Sequence, residues 1–422
     1  MTSKESQEEC FVYITLPRTT ESVTAGRFRL TKDRRGNSIG RFVYGKSYLA
    51  RTDAVEIDPI DLKLRDGGYQ NARLSGMFSS LRDAAPDFWG RHLIERYAGK
   101  TGLSEIDYLL ESPDDRAGAL GFGLNQKPPA PMRKFNKTIQ LERLLHLAEK
   151  LVREQNEETD QESVQVQELL LLGTSMGGAR PKAVIEDDVG LWVAKFGRPD
   201  DRWNNPRVEH AMLELARSCG ISSARSRIES VGGKDVILVQ RFDREKTSKG
   251  YIRARMISGL TLLRAEESAL QRDRWSYLLM AEELRRVVSE PKKDATELFR
   301  RMCFNALISN SDDHPRNHSF IAFDRGWRLS PAYDLTPSPS VSQHRNLALI
   351  CGENGRLASV RNLLSQCSRF LLAEQEARSI VSAMTAQVQT TWYATLRTHG
   401  VSERDADTIK SAFVYKGFDG DS

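Results

Sequence analysis

Residues 308–320 read Ile-Ser-Asn-Ser-Asp-Asp-His-Pro-Arg-Asn-His-Ser-Phe, and residues 331–338 follow with Pro-Ala-Tyr-Asp-Leu-Thr-Pro-Ser. An apolar helix, predicted over 298–308, runs into this polar loop, and a short apolar strand leads away from it. Asp312 and Asn317 are five residues apart, the Asp-x-x-x-x-Asn spacing of the loop that carries the catalytic base and a magnesium ligand in protein kinases. The stretch therefore predicts ATP-dependent phosphoryl transfer.

In that chemistry an aspartate accepts the proton of the substrate hydroxyl, which makes Asp312 the candidate catalytic base. Asn317 and Asp334 supply oxygen ligands of the kind that Mg²⁺ prefers. Two alternatives stay open. These side chains are also typical caps of turns, and Asp312, Asp313 and His314 together suggest a hydrolytic metal site. A hydrolytic site needs further ligands, so the spacing favours phosphoryl transfer.

The composition indicates a globular protein of more than one lobe. The 422 residues are 39% hydrophobic and 28% charged, with a net charge of +5. This mild basic bias is compatible with a nucleic-acid partner, although from charge alone an ordinary solvated surface is the favoured explanation. The five cysteines are odd in number and lack a C-x-x-C pair, which argues against a disulfide framework or a zinc site. Without a signal peptide or a long apolar run, we expect a cytoplasmic protein with no membrane partner.

A second stretch is rich in glycine. Residues 173–182 read Gly-Thr-Ser-Met-Gly-Gly-Ala-Arg-Pro-Lys and precede a predicted β-hairpin over 183–196. Backbone N–H groups of such a loop can approach phosphate oxygens, and Lys182 is either a phosphate contact or a surface lysine. Lys195 is either an edge-strand charge or the strand lysine that pairs the α- and β-phosphates. Glu209, on a predicted helix, is the candidate ion-pair partner of Lys195 or a solvated glutamate.

Two further segments have open interpretations. Ser175 lies before the glycine pair, where phosphorylation would add about −1.5 to −2 charges and expel the loop from a nucleotide site. Its hydroxyl can equally hydrogen-bond within the loop. Residues 240–242 end a predicted strand, where a kinase hinge would hold adenine through backbone groups. A strand end with solvated charges explains that segment equally well.

Periodicity predicts strands over 10–16, 27–30 and 38–49 and helices over 77–98 and 165–172. The acidic segment 154–162 has no assignment. The chain divides into four predicted segments: an N-terminal subdomain (1–125), a linker and helix (126–162), a small lobe with the glycine-rich loop and hinge (163–257), and a helical lobe with the catalytic loop (258–422).

These residues resemble the HipA family, the serine/threonine-protein kinase toxins of HipBA toxin–antitoxin systems. The resemblance implies an α+β, two-lobed, protein-kinase-like fold with an added N-terminal α/β subdomain and an all-helical C-terminal lobe. Arg180-Pro181 departs from a more polar pair in the best-known member. The matching motifs are 81–91, 115–120, 175–182, 241–244, 312–317 and 333–334.

The resemblance also implies roles for single residues. Asp312 would be the catalytic base, Asn317 and Asp334 the magnesium ligands, and Ser175 the inhibitory autophosphorylation site. The implied nucleotide-binding residues come from four places. They are Gly177, Gly178, Ala179, Arg180, Pro181 and Lys182 of the phosphate loop; the strand lysine Lys195; Gln240, Arg241 and Phe242 of the hinge; and His314, Asn317, Tyr333 and Asp334.

The best-studied members phosphorylate aminoacyl-tRNA synthetases and arrest growth. Their partner is a helix-turn-helix antitoxin, HipB, that binds operator DNA with the toxin as co-repressor. The resemblance therefore implies ATP and Mg²⁺ as cofactors, a HipB-like antitoxin with its operator DNA, and a synthetase as protein substrate. The alternative is a non-catalytic ATP-binding co-repressor. No residue of the sequence identifies a particular synthetase.

Overall fold

The computed structural model describes residues 8–99, 101–130, 135–153 and 180–419. Within these ranges both helices and sheets are present, which agrees with the predicted α+β class. Up to residue 198 the strands are β1 (Glu9–Thr15), β2 (Ser22–Lys32), β3 (Ser38–Tyr44), β4 (Gly68–Asn71), β5 (Leu120–Gly123), β6 (Asn136–Lys137), β7 (Lys182–Glu186) and β8 (Leu191–Phe196), and the helices are α1 (Lys46–Leu49), α2 (Ser79–Asp83), α3 (Phe88–Ala98), α4 (Glu105–Glu111) and α5 (Leu141–Arg153).

The remainder of the chain is richer in helix. Its strands are β9 (Ser226–Val231), β10 (Lys234–Gln240), β11 (Arg244–Thr247), β12 (Gly250–Arg253), β13 (Arg255–Ser258), β14 (Ser319–Ala322) and β15 (Arg328–Leu329), and its helices are α6 (Asn205–Ser218), α7 (Gly259–Leu263), α8 (Tyr277–Leu284), α9 (Pro291–Leu307), α10 (Val360–Leu364), α11 (Glu374–Thr398) and α12 (Glu403–Ile409).

Contacts group the described residues into two compact units. Unit 1 contains the described residues of Met1–Arg198 together with Gln240–Ile257 and Ile321–Arg325, and unit 2 contains Pro199–Val239, Ser258–Phe320 and the described residues of Gly326–Ser422. The units gather residues by contact and not by order along the chain. The four-segment division predicted from the sequence therefore stays a prediction.

A five-stranded antiparallel sheet with the order β4-β3-β2-β1-β5 forms the beginning of unit 1. Side chains alternate between its two faces, as expected for a strand. In β2, Phe28 is buried in the core while its neighbours Arg27 and Arg29 are exposed on the opposite face. Phe28 packs in a cluster with Phe42 and Leu81. This alternation makes one face of the sheet apolar and the other cationic.

The third predicted strand of this sheet is shorter than expected. The sequence pattern predicts a strand over 38–49, but β3 ends at Tyr44 and α1 begins at Lys46. Tyr44 itself is buried, and its hydroxyl accepts a hydrogen bond from the Ile57 N–H at 2.9 Å. The apolar side chains of α1 continue the strand pattern, which is why the sequence alone does not show the boundary.

The helix predicted over 77–98 is two helices, α2 and α3. Pro86 explains the break, because proline disfavours helical backbone in the residue before it. Asp87 then caps the N-terminus of α3, where its side chain accepts a hydrogen bond from the Gly90 N–H at 2.7 Å. Phe88 is the first residue of α3 and is 78% exposed, although it is apolar.

Unit 1 also contains the neighbouring strands β6, β7 and β8. The hairpin predicted over 183–196 is confirmed, with β7 and β8 joined by a turn at 187–190. Asp187 Oδ1 stabilises that turn by accepting hydrogen bonds from the N–H groups of Val189 (2.8 Å) and Gly190 (2.9 Å). The acidic segment 154–162 and the helix predicted over 165–172 lie outside the described residues.

A cluster of five buried charged residues joins two distant parts of unit 1. The Arg241 guanidinium donates to both carboxylate oxygens of Asp243 (3.0 and 2.9 Å) and pairs with Asp115. Arg244 donates to Asp243 at 2.7 Å and to the carbonyl of Arg116. Burial alone would raise the pKa of Asp243, but the charges of Arg241 and Arg244 hold it well below its usual range.

Unit 2 is mostly helical, as predicted for the chain from residue 258 onward. Its core helix is α9, whose apolar residues include the buried Leu298, Phe299, Met302 and Phe304. The long helix α11 packs against both α6 and α9. None of the helices in the described part of the chain combines the length and apolar character that a membrane crossing requires.

The buried cluster gives a first prediction. Asp243→Asn should lower the free energy of unfolding by about 3–5 kcal/mol at neutral pH, because it leaves the buried Arg241 and Arg244 with Asp115 as their one remaining counter-charge in the cluster. The depressed pKa of Asp243 contributes stability above its unfolded value of about 4, and this contribution is lost as the pH falls. The difference in the free energy of unfolding between wild type and variant should therefore be smaller in acid. Urea unfolding followed by circular dichroism, at neutral pH and in acid, measures both effects.

Asp53→Asn is the matched control, since Asp53 pairs with Arg51 on the surface of the same unit. Its unfolding curve should coincide with that of the wild type. An Asp243→Asn variant as stable as this control at neutral pH would contradict the prediction.

Candidate functional site

Helix α9 ends in a left-handed turn that begins the candidate loop of unit 2. Ser309 has a φ of +52°. Its N–H bonds to the Ala306 carbonyl (3.2 Å), and the Asn310 N–H bonds to the Asn305 carbonyl (2.8 Å). These two bonds form a Schellman motif, in which glycine is the usual left-handed residue. The Ser309 hydroxyl donates to the Ala412 carbonyl at 2.7 Å, which fixes this turn to the end of the chain.

Asp313 is the buried anchor of the loop. It is 2% exposed, and its carboxylate accepts hydrogen bonds from the Tyr277 hydroxyl and from His318 Nε2 (3.0 Å). The Tyr277 oxygen in turn accepts from the Asn305 side chain at 2.9 Å, and Asn310 donates to Asn305 at 3.1 Å. Burial and the Asp313 charge raise the pKa of Tyr277 well above its ordinary value, which keeps the hydroxyl a donor.

The neighbouring residue, Asp312, is exposed. Partial burial, the carboxylate of Asp334 and then that of Asp313 raise the pKa of Asp312. The two predicted site carboxylates therefore interact through their charges. Asp334 has a φ of +58°, a left-handed conformation that aspartate adopts more readily than most residues. Two nearby carboxylates favour a bound cation over an empty site.

Asn317 closes a short 3-10 turn, Pro315–Asn317. Its N–H donates to the His314 carbonyl at 2.8 Å, and its side-chain nitrogen lies 3.5 Å from the Asp312 carbonyl. In the described part of the chain no group donates a hydrogen bond to the side-chain oxygen of Asn317. That oxygen therefore has the chemistry, and the hydrogen-bonding capacity, of a metal ligand.

His314 and Tyr333 support the same loop. Burial lowers the pKa of His314 to about 4, so the ring is neutral near pH 7. Its Nδ1 accepts a hydrogen bond from the Arg316 N–H at 3.1 Å. Its ring packs against the Trp275 ring, with 4.2 Å between the ring centroids. The Tyr333 hydroxyl donates to the Arg316 carbonyl at 2.5 Å and lies 2.6 Å from the Ser319 hydroxyl. Unit 2 thus brings Asp312, His314, Asn317, Tyr333 and Asp334 into one site.

The predicted lysines belong to unit 1. Lys182 and Lys195 are directly opposite each other on β7 and β8. Lys182 is buried, and its ammonium group lies 2.6 Å from an oxygen of Asp87, which is also buried. The Pro181 carbonyl accepts the Phe196 N–H at 3.2 Å, which extends the hairpin by one residue. Asp87 already neutralises Lys182, and the phosphate contacts of both lysines stay predictions.

The predicted hinge and ion pair have mixed outcomes. The Arg241 N–H donates to the Leu191 carbonyl at 2.9 Å, and its guanidinium is committed to the buried cluster. A nucleotide contact from 240–242 would therefore use other groups. Glu209 is buried on α6 in unit 2, so its predicted pairing with Lys195 would join the units and stays a prediction. The predicted site residues Ser175, Gly177, Gly178 and Ala179 lie outside the described residues.

The hydrolytic alternative lacks its ligands. Asp313 is turned into the core, and its Oδ2 is engaged by both Tyr277 and His318. Across the ranges that the structure describes, no group of three or more His, Cys, Asp and Glu side chains could hold a metal ion. The rival metal site of Asp312, Asp313 and His314 therefore does not form.

Sequence reasoning did not identify the buried anchor. Asp313 was considered only as a metal ligand, and Tyr277, Asn305 and His318 had no predicted role. Tyr277 lies 36 residues before Asp313 on α8, so no local spacing connects the two. The available signal was the polar pair Asn305 and Asn310, which interrupts an otherwise apolar helix end.

Comparison with known proteins identifies the family. The family model of the HipA-like C-terminal domain matches residues 174–392, more than half of the chain, and that of the HipA N-terminal domain matches residues 20–123. The chain belongs to the HipA family. The resemblance predicted from the site motifs is confirmed.

This HipA-family chain is similar to proteins that are named as putative kinases. The first, "Putative kinase Y4mE" of Sinorhizobium fredii, is 27% identical over 136 residues, which are 30% of this chain and 31% of that protein. The second, "Putative kinase" of Haemophilus influenzae, is 23% identical over 234 residues, which are 50% of this chain and 68% of that protein. The chain thus spans about a third of the length of one and about two thirds of the other.

A solved structure shows the HipA fold over nearly the whole chain. It comes from the Shewanella oneidensis MR-1 toxin–antitoxin complex of HipA, HipB and operator DNA. The TM-score is 0.68 at 16% identity, and the match covers 94% of this chain and 95% of that one. At this identity the match shows the shared fold alone, and it confirms the predicted fold.

The buried anchor generates a second prediction. Tyr277→Phe removes one donor from the Asp313 carboxylate and the acceptor of the Asn305 amide. Leaving such buried groups unsatisfied should lower the free energy of unfolding by about 1–3 kcal/mol. Chemical denaturation followed by tryptophan fluorescence measures this loss. Tyr393→Phe on the exposed side of α11 is the matched control and should leave stability unchanged. Identical denaturation curves for the two variants would contradict the stabilising role of the Asp313 anchor.

Proposed function

We propose that this HipA-family chain is an ATP- and Mg²⁺-dependent serine/threonine-protein kinase that acts as the toxin of a type II toxin–antitoxin system. One observation carries the proposal: Asp312 is exposed on a loop whose following residue, Asp313, is held in the core, and the charge of Asp334 acts on the Asp312 carboxylate. The kinase names of the two relatives support the same reaction.

Asp312 would act as the base of the transfer. Its carboxylate accepts the proton of a serine or threonine hydroxyl while that oxygen forms a bond to the γ-phosphorus of ATP. The bond from the γ-phosphorus to the β,γ-bridging oxygen breaks, and ADP leaves with the electron pair. The raised pKa of Asp312 suits a group that must take up a proton. The anchored loop keeps the carboxylate in place, which is the main protein contribution to phosphoryl transfer.

The site chemistry fits a hard cation. The Asn317 side-chain oxygen and the Asp334 carboxylate would hold Mg²⁺, and both are oxygen ligands beside a site with excess negative charge. When bound, Mg²⁺ supplies neutralisation of charge on the phosphate oxygens. Lys195 and the loop Gly177–Lys182 are the proposed contacts of the triphosphate, and His314 and Tyr333 the proposed contacts next to the loop.

Membership of the family supports proposals for the protein that this chain phosphorylates and for the regulation of its activity. We propose an aminoacyl-tRNA synthetase as the phosphorylated protein, with growth arrest as the outcome. Ser175 is the proposed site of inhibitory autophosphorylation, because a phosphate there would repel a nucleotide from the adjoining glycine loop.

A second function is a co-repressor role. The structural relative was solved with HipB and operator DNA, which favours a HipB-like helix-turn-helix antitoxin and its operator as partners of this chain as well. In the non-catalytic version of this hypothesis ATP is a structural ligand only.

A third prediction tests the base. With γ-labelled ATP, Mg²⁺ and a cell lysate, the wild type should label protein, and Asp312→Asn should reduce the rate by about 100-fold or more. Asp407→Asn, an exposed aspartate of α12, is the matched control and should retain full activity. A wild type that transfers no labelled phosphate to any protein would contradict the kinase proposal. A variant that loses labelling but still binds antitoxin and operator would exclude the purely non-catalytic version.

A fourth prediction tests Ser175. After incubation with ATP and Mg²⁺, mass spectrometry should find phosphate on Ser175 of the wild type and none on that residue in Asp312→Asn. Labelling of lysate proteins should slow as Ser175 fills, whereas Ser175→Ala should stay active throughout. Thr174→Val is the control and should behave as the wild type. Equal time courses for wild type and Ser175→Ala would contradict an inhibitory role.

A further inference from the structure

The hairpin of β2 and β3 concentrates the positive charge of the chain. Residues 27–41 contain six basic residues and one acidic residue, a net charge of +5, and the whole chain of 422 residues has the same net charge. Five of the six cations are arginines, whose planar guanidinium groups bind phosphate through two parallel hydrogen bonds. The charged residues are Arg27, Arg29, Lys32, Asp33, Arg34, Arg35 and Arg41.

The end of this hairpin extends beyond the rest of its sheet. β1 begins at Glu9, which pairs with Arg29, and β4 ends at Asn71, which pairs with Gly40. Within the described strands, β2 and β3 continue past both neighbours as a two-stranded ribbon to the turn at 33–37. All five turn residues are exposed. The projecting part is two residue pairs long, Thr31 with Ile39 and Lys32 with Ser38, and two-stranded β-elements are among the structures that contact duplex DNA.

The turn is rigid and leaves its cations without a counter-charge. Asp33 accepts hydrogen bonds from the N–H groups of Arg35 and Asn37 (both 2.8 Å) and from the Asn37 side chain (3.0 Å). These bonds hold the pKa of Asp33 below its usual value. The carboxylate therefore shapes the turn instead of pairing with an arginine. Among the described residues, no carboxylate forms an ion pair with Arg34 or Arg35.

Arginines also oppose one another on the exposed face of the sheet. Arg29 pairs directly with Arg41 across β2 and β3, and like charges at such positions are destabilising. Two glutamates lie only loosely against this face, at 3.8 Å from Arg27 and 3.9 Å from Arg29, and both pairs are solvent-exposed. Such pairs contribute little to stability. A polyanion would remove the repulsion that this face otherwise carries.

We propose that the β2–β3 hairpin binds the phosphate backbone of duplex DNA directly, through Arg27, Arg29, Arg34, Arg35 and Arg41. This interaction uses none of the residues of the proposed kinase site.

The low apolar content of this face favours a nucleic acid over an acidic protein as its partner. Protein interfaces depend on a central aromatic or aliphatic anchor, whereas phosphate binding needs only cations. The one large exposed apolar side chain identified on this face, within the described residues, is Val43 at 41% exposure. Single-stranded nucleic acids need exposed aromatic side chains for base stacking. The deep, narrow major groove of duplex RNA excludes a β-ribbon. Duplex DNA is the polyanion that fits all three features.

The test compares two triple variants of the full chain that lose the same charge. Arg34→Gln/Arg35→Gln/Arg41→Gln removes three cations of the hairpin, and Arg285→Gln/Arg286→Gln/Arg404→Gln removes three exposed cations of unit 2. Fluorescence anisotropy with a labelled duplex of about 20 base pairs gives the affinity over a range of salt concentrations. Each lost phosphate contact should lower the slope of log affinity against log salt by about 0.9. From about 50 to about 200 mM salt, the wild type should lose about 40-fold more affinity than the hairpin variant.

The expected result is weakened binding and a shallower slope for the hairpin variant alone, with thermal melting and kinase activity unchanged in both variants. Equal losses in the two variants would overturn the proposal, because net charge and not the hairpin would then control binding. Tighter binding of single-stranded DNA, of duplex RNA or of a polyglutamate peptide of equal charge would overturn the choice of duplex DNA. A wild type that does not bind duplex DNA at low salt would overturn it outright, and none of these results bears on phosphoryl transfer.

Discussion

The hydrogen bonds that hold the buried carboxylate of Asp313 determine the geometry of the candidate site. Tyr277 and His318 fix this side chain in the core, and the backbone on both sides of it is fixed with it. Asp312, one residue before, is therefore exposed, and Asn317 follows after one short turn. Adjacent aspartates thus have opposite environments, one exposed and one buried. A carboxylate in the core is stabilised by the donors that it accepts from, so the anchor is sensitive to the loss of either one.

The sequence predicts a site loop because the residues that carry its proposed chemistry stand at short, fixed spacings. Asp312, Asn317 and the later Asp334 stand at fixed spacings, and the structure brings all three into unit 2 without any information from distant residues. The anchor could not be predicted in the same way. Tyr277 and Asn305 reach Asp313 through packing of α8 against α9, and pairing between helices leaves no trace in the spacing of a single sequence.

The errors in the fold have similarly local causes. Apolar residues resume at Tyr48 and Leu49 in α1, with only three residues between Tyr44 and Tyr48, so periodicity could not distinguish the end of a strand from the start of a short helix. The break between α2 and α3 was available from Pro86, whose effect on the preceding residue outweighs the helical pattern on either side. Phe88 illustrates a related limit, because the first residue of a helix can point to solvent regardless of the pattern that follows it.

Arginine has two opposite roles in unit 1, and burial decides between them. Arg241 and Arg244 are in the core, where each finds Asp243 within hydrogen-bond distance, and the cluster links segments 126 residues apart. Arg34 and Arg35 lie on an exposed turn whose single carboxylate is already used by the backbone. Charge in the first case is internally neutralised and contributes to folding. Charge in the second case remains available to a partner. The hairpin contains none of the proposed kinase residues, neither those of the loop in unit 2 nor Lys182 and Lys195 in unit 1, so binding of a polyanion there requires no residue of the proposed kinase site.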